Sequence, residues 1–211
     1  MKKIAITGNL GTGKTTILKI LQDLGFSTFS CDEAVKELYE DLDVKEGIVK
    51  IFGKEILETE GEINKKRILE KILKDQELKK RLENILHPLV KEKFLEFIKE
   101  NEKEKVIFAE VPLLFEVGWE SLFDEIWVVS CSEKTQKERI AKKGLEENIG
   151  SEILKFQLPL KEKEKRAHKI VFSEKDIKEL KEEIKEMLKE YLKDLNLPLC
   201  RSEIRRNFPV F

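Results

Sequence analysis

Cysteine is scarce in this chain of 211 residues, which contains three: Cys31, Cys131 and Cys200. Their odd number and the lack of a C-x-x-C pair argue against a disulfide framework or a zinc site, and they fit a reducing compartment. Glutamine is scarce too, occurring four times among 41 lysines and arginines and 42 aspartates and glutamates. Because this bias is typical of heat-adapted proteins, we hypothesise that the protein is thermostable.

A long apolar segment is also lacking. The apolar run that begins at Ile4 ends at Gly8, too short for the hydrophobic part of a signal peptide, and no later stretch approaches the ~20 apolar residues of a membrane span. The formal net charge is −1, so no overall field attracts nucleic acid or membranes. We therefore expect a cytoplasmic protein that binds neither nucleic acid nor membrane and is a monomer or weak homo-oligomer.

Short apolar runs alternate with sequence of helical period along the chain. This alternation predicts an α/β fold with a central, parallel, five-stranded sheet and helices on both faces. The last long helix is predicted to start near Ser173, whose hydroxyl would cap it with Asp176 at the third position. The predicted strands span residues 3–7, 26–30, 106–109, 126–129 and 170–172.

Two stretches between the predicted strands are helical in pattern. The first follows the second strand and is predicted to be a helical insertion, and the second, highly charged, lies before the last strand and is predicted to be a lid. The predicted parts are a core of residues 1–31, 105–131 and 169–196, an insertion of 32–104, a lid of 132–168 and a C-terminal tail of 197–211.

The strongest motif is the match of residues 8–15 to G-x-x-x-x-G-K-[ST], placed after a strand and at the start of a helix. In such a loop the backbone N–H groups converge on phosphate oxygens, and glycine leaves them clear. Lys14 would reach the β- and γ-phosphates, and the hydroxyl of Thr15 would bind Mg²⁺. The alternative is a glycine-rich turn with a surface lysine. The predicted nucleotide-binding residues are Asn9, Leu10, Gly11, Thr12, Gly13, Lys14, Thr15 and Thr16.

A nucleotide-binding loop alone does not separate a kinase from a GTPase or a motor ATPase. Residues 64–67 read Asn-Lys-Lys-Arg and lack the aspartate of the guanine-binding Asn-Lys-x-Asp segment, which disfavours a GTPase. Asp32 follows the second strand, at the carboxyl edge where α/β proteins bind ligands, and it could accept a proton from an acceptor hydroxyl. Alternatively, it caps a helix over 33–40, and the residues alone leave both readings open.

Further motifs in the same order resemble the dephospho-CoA kinase family, and the resemblance extends from Lys3 to Ser173. The His-Pro and Pro-Leu-Leu-Phe-Glu elements are the specific ones, whereas the P-loop is shared by many families. The matching elements are the P-loop, Asp32, Phe52-Gly53, residues 61–65, His87-Pro88, residues 112–116, Gln136 with Arg139, and Gln157 ten residues before Ala167.

The resemblance implies a P-loop NTPase fold of three layers with three parts: a nucleotide-binding core, a helical substrate domain formed by the insertion, and a lid. It implies ATP-dependent phosphorylation of the ribose 3′-hydroxyl of dephospho-CoA, the final step of coenzyme A synthesis, with Mg²⁺. Asp32 takes the position of the catalytic base, while Lys14 and Arg139 stabilise charge on the transferred group. The implied substrate-binding residues are Asp32, Lys65, His87, Pro88, Leu113 and Glu116.

Several of these positions allow a structural alternative. Arg139 could be a solvated arginine paired with nearby glutamates, and His87 could be a buried structural histidine. We expect Pro88 to lie in the first turn of a helix that starts at His87. Glu110 either holds Mg²⁺ through water or is an ordinary carboxylate at the end of a strand.

The sequence departs from the family pattern in four places. Lys143 in the lid and Lys65 in the insertion replace arginines, so we expect more diffuse phosphate contacts there. Ala167-His168 replaces an Ala-Asp pair, and Ser173 replaces an asparagine. Two other functions stay open: another P-loop nucleoside, nucleotide or small-molecule kinase, and a non-catalytic nucleotide-binding switch.

Overall fold

The computed structural model describes residues 1–59 and 61–192, so the predicted tail and Cys200 lie outside the described residues. Within this part the chain forms five strands and nine α-helices. The strands are β1 (Lys2–Thr7), β2 (Ser27–Ser30), β3 (Val106–Glu110), β4 (Glu125–Ser130) and β5 (Lys169–Phe172). The helices are α1 (Lys14–Asp23), α2 (Cys31–Leu38), α3 (Leu42–Phe52), α4 (Lys65–Lys74), α5 (Gln76–Glu100), α6 (Glu133–Lys142), α7 (Glu147–Lys155), α8 (Leu160–Lys165) and α9 (Ile177–Leu192).

The strands form one parallel sheet in the order β2-β3-β1-β4-β5, which confirms the predicted five-stranded sheet. β1 lies in the middle, and its Ile4 is in register with Phe108 of β3 and Glu125 of β4. Both faces of β1 are buried, as expected for a strand whose apolar residues run without alternation. The loop that follows β1 therefore leaves the centre of the sheet at its carboxyl end.

Helices α1 and α9 supply much of the core that covers the sheet. Leu180, Ile184 and Leu188 of α9 recur every four residues and are at most 2% exposed. They belong to one apolar cluster with Ile17 of α1 and Trp127 of β4. Burial of a side chain of this size stabilises the fold by about 1.5–3 kcal/mol, so this stripe fixes α9 on the sheet.

The predicted start of the last helix at Ser173 is wrong, because α9 begins at Ile177. The side chain of Asp176 accepts a hydrogen bond from the amide of Lys178 at 2.8 Å, so Asp176 caps the helix. Ser173 is buried and directs its hydroxyl to the loop after β1 instead. A tertiary contact has replaced the local cap that the sequence pattern favoured.

The chain divides into two compact units, of which residues 30–100 form the second. This second unit is helical, with α5 in contact with α2, α3 and α4. Its longest helix, α5, is 25 residues long and carries many charges. Among the residues that the structure describes, no helix combines the length and apolar composition needed to cross a membrane.

The prediction that Pro88 lies in the first turn of a helix is also wrong. Helix α5 runs through Pro88, although an interior proline removes one backbone hydrogen bond and costs about 3 kcal/mol. The helix continues past the proline because burial of its apolar face stabilises it on both sides. The buried residues recur every four positions before and after Pro88. These residues are Leu82, Leu86, Val90 and Phe94.

Candidate active site

The loop between β1 and α1 is built around glycines that no other residue could replace without strain. Gly8, Gly11 and Gly13 have φ angles of 146°, 80° and 99°, and a Cβ on Gly8 would lie 2.5 Å from the carbonyl oxygen of Val129. Gly13 caps α1 and has no side chain to occupy the amides of the first helical turn. These amides, with the partial positive charge of the helix terminus, form an anion-binding cradle.

Contacts within the loop hold this conformation. The Thr12 hydroxyl and the Lys14 ammonium donate to the carbonyl oxygen of Asn9 at 2.9 and 3.1 Å. Lys14 is 8% exposed, so its charge lies against the loop and not in solvent. The Oδ1 atom of Asn9 is buried and finds no hydrogen-bond partner among the described residues. The loop therefore combines a buried cation with an acceptor that its own fold does not satisfy.

Thr15 and Glu110 lie together beside this loop. The Thr15 hydroxyl donates to Oε1 of Glu110 at 3.2 Å, and Glu110, the last residue of β3, is 1% exposed. Hydroxyl and carboxylate oxygens are the hard ligands that Mg²⁺ prefers. Within the described part of the chain, no group of three or more His, Cys, Asp or Glu side chains could hold a metal ion. The pair therefore fits a Mg²⁺ ion that takes its other ligands from phosphate and water.

Arg139 on α6 hydrogen-bonds to the same loop and does not extend into solvent. Its Nη1 donates to the carbonyl oxygen of Thr12 at 3.2 Å and to the Ser173 hydroxyl at 2.7 Å, while Nη2 donates to the Ser173 carbonyl at 2.6 Å. The Ser173 hydroxyl in turn donates to the carbonyl of Thr12 at 2.5 Å. Ser173, which replaces the asparagine of the family pattern, therefore helps to hold the loop in place.

The segment between α7 and α8 also contacts the loop, at Asn9 and Leu10. Oε1 of Gln157 accepts a hydrogen bond from the amide of Leu10 at 2.9 Å, and Nδ2 of Asn9 donates to the carbonyl of Leu158 at 3.2 Å. On the other side, Nε2 of Gln136 donates to the Leu10 carbonyl at 2.7 Å. Both glutamines belong to the motifs that resemble the family, but the sequence did not indicate what they do. These contacts show that both bind the backbone of the P-loop.

Comparison with known proteins places this arrangement in a family. A family model described as dephospho-CoA kinase matches residues 2–179. A dephospho-CoA kinase of Fusobacterium nucleatum is 33% identical over 178 residues, which are 84% of this chain and 92% of that protein. A dephospho-CoA kinase of Aquifex aeolicus is 32% identical over 180 residues, covering 85% and 92%. The chain belongs to the dephospho-CoA kinase family.

Solved structures agree with this assignment. A crystal structure from Thermus thermophilus superposes with a TM-score of 0.77 at 28% identity, covering 90% of this chain and 97% of that one. The dephospho-CoA kinase from Campylobacter jejuni gives a TM-score of 0.66 at 30% identity, covering 92% and 99%. The predicted P-loop NTPase fold is confirmed.

The Pro-Leu-Leu-Phe-Glu segment, one of the two specific family motifs, follows β3. Leu113 in this segment is half-buried, and Glu116 accepts hydrogen bonds from the amide of Leu158 at 2.7 Å and from Lys163 at 2.9 Å. The predicted substrate contact of these two residues stays a prediction. Lys143, at the C-cap of α6, is exposed, and its predicted phosphate contact likewise stays a prediction.

Asp32, the predicted base of this kinase family, lies in the helical unit. It is exposed in the first turn of α2, whereas Ser30 occupies the N-cap and accepts a hydrogen bond from the amide of Glu33 at 3.4 Å. The alternative that Asp32 caps a helix over 33–40 is therefore wrong.

The other family residues of the helical unit lie on α4 and α5. Lys65 is the first residue of α4, exposed, with its ammonium 5.1 Å from the ring centroid of Tyr39. His87 is half-buried in α5 beside the exposed Pro88. Burial lowers the pKa of His87, with Glu83 opposing and Lys79 reinforcing the shift, so the imidazole is neutral at neutral pH.

Proposed function

We propose that this protein transfers the γ-phosphoryl group of ATP to the ribose 3′-hydroxyl of dephospho-CoA, giving CoA and ADP in the final step of coenzyme A biosynthesis. The observation that carries this function is the convergence of two cations on the P-loop of a chain in this family. Lys14 hydrogen-bonds to Asn9, and Arg139 hydrogen-bonds to Thr12. A cradle of amides flanked by these cations suits the three equatorial oxygens of a transferred phosphoryl group.

In the reaction, the 3′-oxygen of the acceptor forms a bond to the γ-phosphorus as the bond from that phosphorus to the β,γ-bridging oxygen breaks. Asp32 orients the acceptor hydroxyl, and its carboxylate takes the proton as the new bond forms. Early proton removal is not required, since the transition state of phosphoryl transfer is loose.

Charge that develops on the leaving ADP and on the transferred group is stabilised by the P-loop. The loop residues Asn9 to Thr16 hold the phosphates, Lys14 and Arg139 add positive charge, and Lys143 makes a more diffuse phosphate contact than an arginine would. Thr15, with Glu110 beside it, would hold Mg²⁺, which would supply positive charge to the phosphate groups of the nucleotide.

We assign the recognition of dephospho-CoA to the helical insertion, residues 32–104, and the covering of the bound nucleotide to the lid, residues 132–168. Lys65 contributes a positive charge, and His87 with Pro88 contributes shape and a neutral hydrogen-bonding group. On the core side, the Pro-Leu-Leu-Phe-Glu segment supplies Leu113.

A coupled assay of ADP release with a panel of acceptors tests this function. We expect release with dephospho-CoA, and release near background with thymidylate, adenylate or shikimate. Turnover of one of these instead would assign the chain to another group of P-loop kinases. Tight nucleotide binding with no transfer to any small molecule, together with a stable complex on size exclusion, would make it a binding switch.

The role of Asp32 is tested by Asp32→Asn. Because the amide cannot accept the proton, we expect turnover to fall by roughly 10²–10⁴-fold, the range of general acid–base catalysis, while both substrates still bind. Glu33→Gln is the matched control, since Glu33 is an exposed carboxylate in the same helical turn. If Asp32→Asn keeps most of its turnover, Asp32 is not the base.

A further inference from the structure

Lys163 differs from the other charged residues of α8 because its side chain is completely buried. Its ammonium lies 2.9 Å from Oε1 of Glu116 and 2.9 Å from the carbonyl oxygen of Pro112. Burial lowers the pKa of Lys163, and the hydrogen bond and charge of Glu116 oppose that shift. By contrast, the neighbouring pair of Lys165 with Glu162 is largely exposed.

Contacts lead from the pair of Lys163 and Glu116 to the P-loop. Oε1 of Glu116 also accepts the amide hydrogen of Leu158 at 2.7 Å, so one carboxylate oxygen joins Lys163 to that backbone. The carbonyl of Leu158 accepts from Asn9, and the adjacent Gln157 accepts from the amide of Leu10. Residues 157–158 are thus bonded to Glu116 on one side and to the P-loop on the other.

The pair occupies a place from which Lys163 cannot contact a substrate. A side chain with no exposed surface acts only through its neighbours, and here these are the Pro-Leu-Leu-Phe-Glu segment and, through it, residues 157–158. The Lys163 side chain has no exposed surface whereas that of Glu116 is 17% exposed, so one charge of the pair is removed from water. Burying that ammonium is a costly way to fill space, because apolar residues of the same volume often stabilise a fold as well or better. A directional role accounts for its presence better than packing does.

We propose that Lys163 and Glu116 are positioning residues that hold residues 157–158 against the P-loop and so fix the conformation of Asn9 and Leu10 that binds the triphosphate. Lys163 holds the Glu116 carboxylate in one orientation, and that carboxylate fixes the amide of Leu158. The kinetic part of this inference rests on the proposed function, whereas its effect on nucleotide binding does not. It gives Glu116 a role distinct from the substrate contact that the family resemblance implies.

Two double variants separate positioning from stability. Lys163→Met/Glu116→Leu removes both charges and leaves the Leu158 amide without an acceptor. Lys163→Met/Glu116→Gln also removes both charges but keeps a side-chain oxygen for that amide. We expect both to fold, because neither leaves the buried Lys163 ammonium without its ion-pair partner, as the single variant Glu116→Leu would.

The first measurement is equilibrium binding of ATP without acceptor. We expect the Met/Leu variant to bind ATP roughly 10–100-fold more weakly than the wild type, the cost of a small displacement of a positioned group, and the Met/Gln variant to bind within about threefold. Lys165→Met, in the exposed pair of the same helix, is the control and should bind ATP like the wild type. Equal weakening of both double variants, or weakening by Lys165→Met, would overturn the proposal.

The second measurement is the KM of each substrate. We expect the Met/Leu variant to raise the KM for ATP and to leave the KM for dephospho-CoA within about threefold, since a displaced P-loop affects the nucleotide first. A rise confined to dephospho-CoA would overturn the positioning role and support direct contact of Glu116 with that substrate. If the wild type phosphorylates another acceptor, the proposed function fails while the ATP-binding comparison still decides this inference.

Discussion

The two ends of the parallel sheet both carry charged side chains, but they use them differently. At the amino end, Glu125 starts β4 between Lys2 and Lys169, the first residues of the two adjacent strands. Its carboxylate is hydrogen-bonded by Tyr191 at 2.6 Å and Trp127 at 2.7 Å and paired with Lys2 at 2.7 Å. At the carboxyl end, the P-loop presents backbone amides and a buried acceptor atom, Oδ1 of Asn9, that has no partner among the described residues.

The difference separates stability from function. The residues around Glu125 also contact one another. The ammonium groups of Lys2 and Lys169 lie 4.5 and 4.7 Å from the ring centroid of Tyr191. The carboxyl end is the edge where α/β proteins bind their substrates, and the proposed nucleotide site lies there. Substitutions at the carboxyl end should therefore lower turnover, whereas substitutions at the amino end should lower the free energy of unfolding.

The largest effect is expected at the carboxyl end, from Arg139→Ala. Loss of an electrostatic donor or an arginine finger lowers turnover by roughly 10²–10⁵-fold, and we expect a value in this range. Steady-state kinetics with saturating ATP and dephospho-CoA measures it, and Arg139→Lys should recover part because the charge remains. An unchanged turnover number would remove Arg139 from the mechanism and weaken the functional side of the comparison.

The amino end should respond to Glu125→Gln with a loss of stability that depends on pH. Burial raises the pKa of Glu125, but hydrogen bonds from Lys2, Tyr191 and Trp127 outweigh it and bring the pKa from 4.5 to about 2. Since the folded pKa is lowered, the ionised group stabilises the fold above about pH 5, and this is lost as the pH falls toward 2. The shift corresponds to about 3 kcal/mol at neutral pH.

Urea unfolding of the wild type and Glu125→Gln at pH 7 and pH 3 measures this effect. The difference in unfolding free energy between them should be largest at pH 7 and shrink at pH 3, while turnover at pH 7 stays close to that of the wild type. A difference independent of pH would mean that the charge of Glu125 does not stabilise the amino end.

The carboxyl end could be predicted from the sequence because its signals are local. Strand, glycine-rich loop and helix follow one another within residues 2–23, and the φ angles that Gly8 and Gly13 adopt require glycine whatever surrounds them. The five strands followed from short apolar runs, since a parallel sheet buries both faces of its central strands. The position of Asp32 shortly after β2 could also be predicted, because that strand is one of these runs.

The amino end and the support of the P-loop could not be predicted, because their partners are distant in sequence. Lys2, Glu125 and Tyr191 are separated by more than a hundred residues or by several elements. Lys163 stands in a run of alternating lysines and glutamates, a pattern that indicates an exposed helix, yet it is buried and contacts Pro112 and Glu116. Charge alternation describes a helix surface but does not reveal which charge the tertiary structure covers.

The two wrong helix boundaries have a similar cause. Pro88 is typical of a first turn, yet a continuous buried face outweighs the hydrogen bond that it removes. Serine is typical of an N-cap, yet the hydroxyl of Ser173 donates a hydrogen bond to the carbonyl of Thr12 and accepts one from Arg139. In both cases contacts between distant parts of the chain outweighed the local conformational preference of the residue.

The smallest effect is expected for charges that belong to neither end, such as the pair of Glu46 and Lys50 on α3. Their side chains are 74% and 78% exposed and their charged atoms lie 4.0 Å apart, so water screens the attraction. We expect Lys50→Ala to change the unfolding free energy by less than about 0.5 kcal/mol in urea unfolding at pH 7, with little response to added salt. A loss of unfolding free energy as large as that of Glu125→Gln would show that an exposed pair stabilises this fold as much as the buried network of Glu125. Burial would then no longer explain why the amino end differs from the rest of the surface.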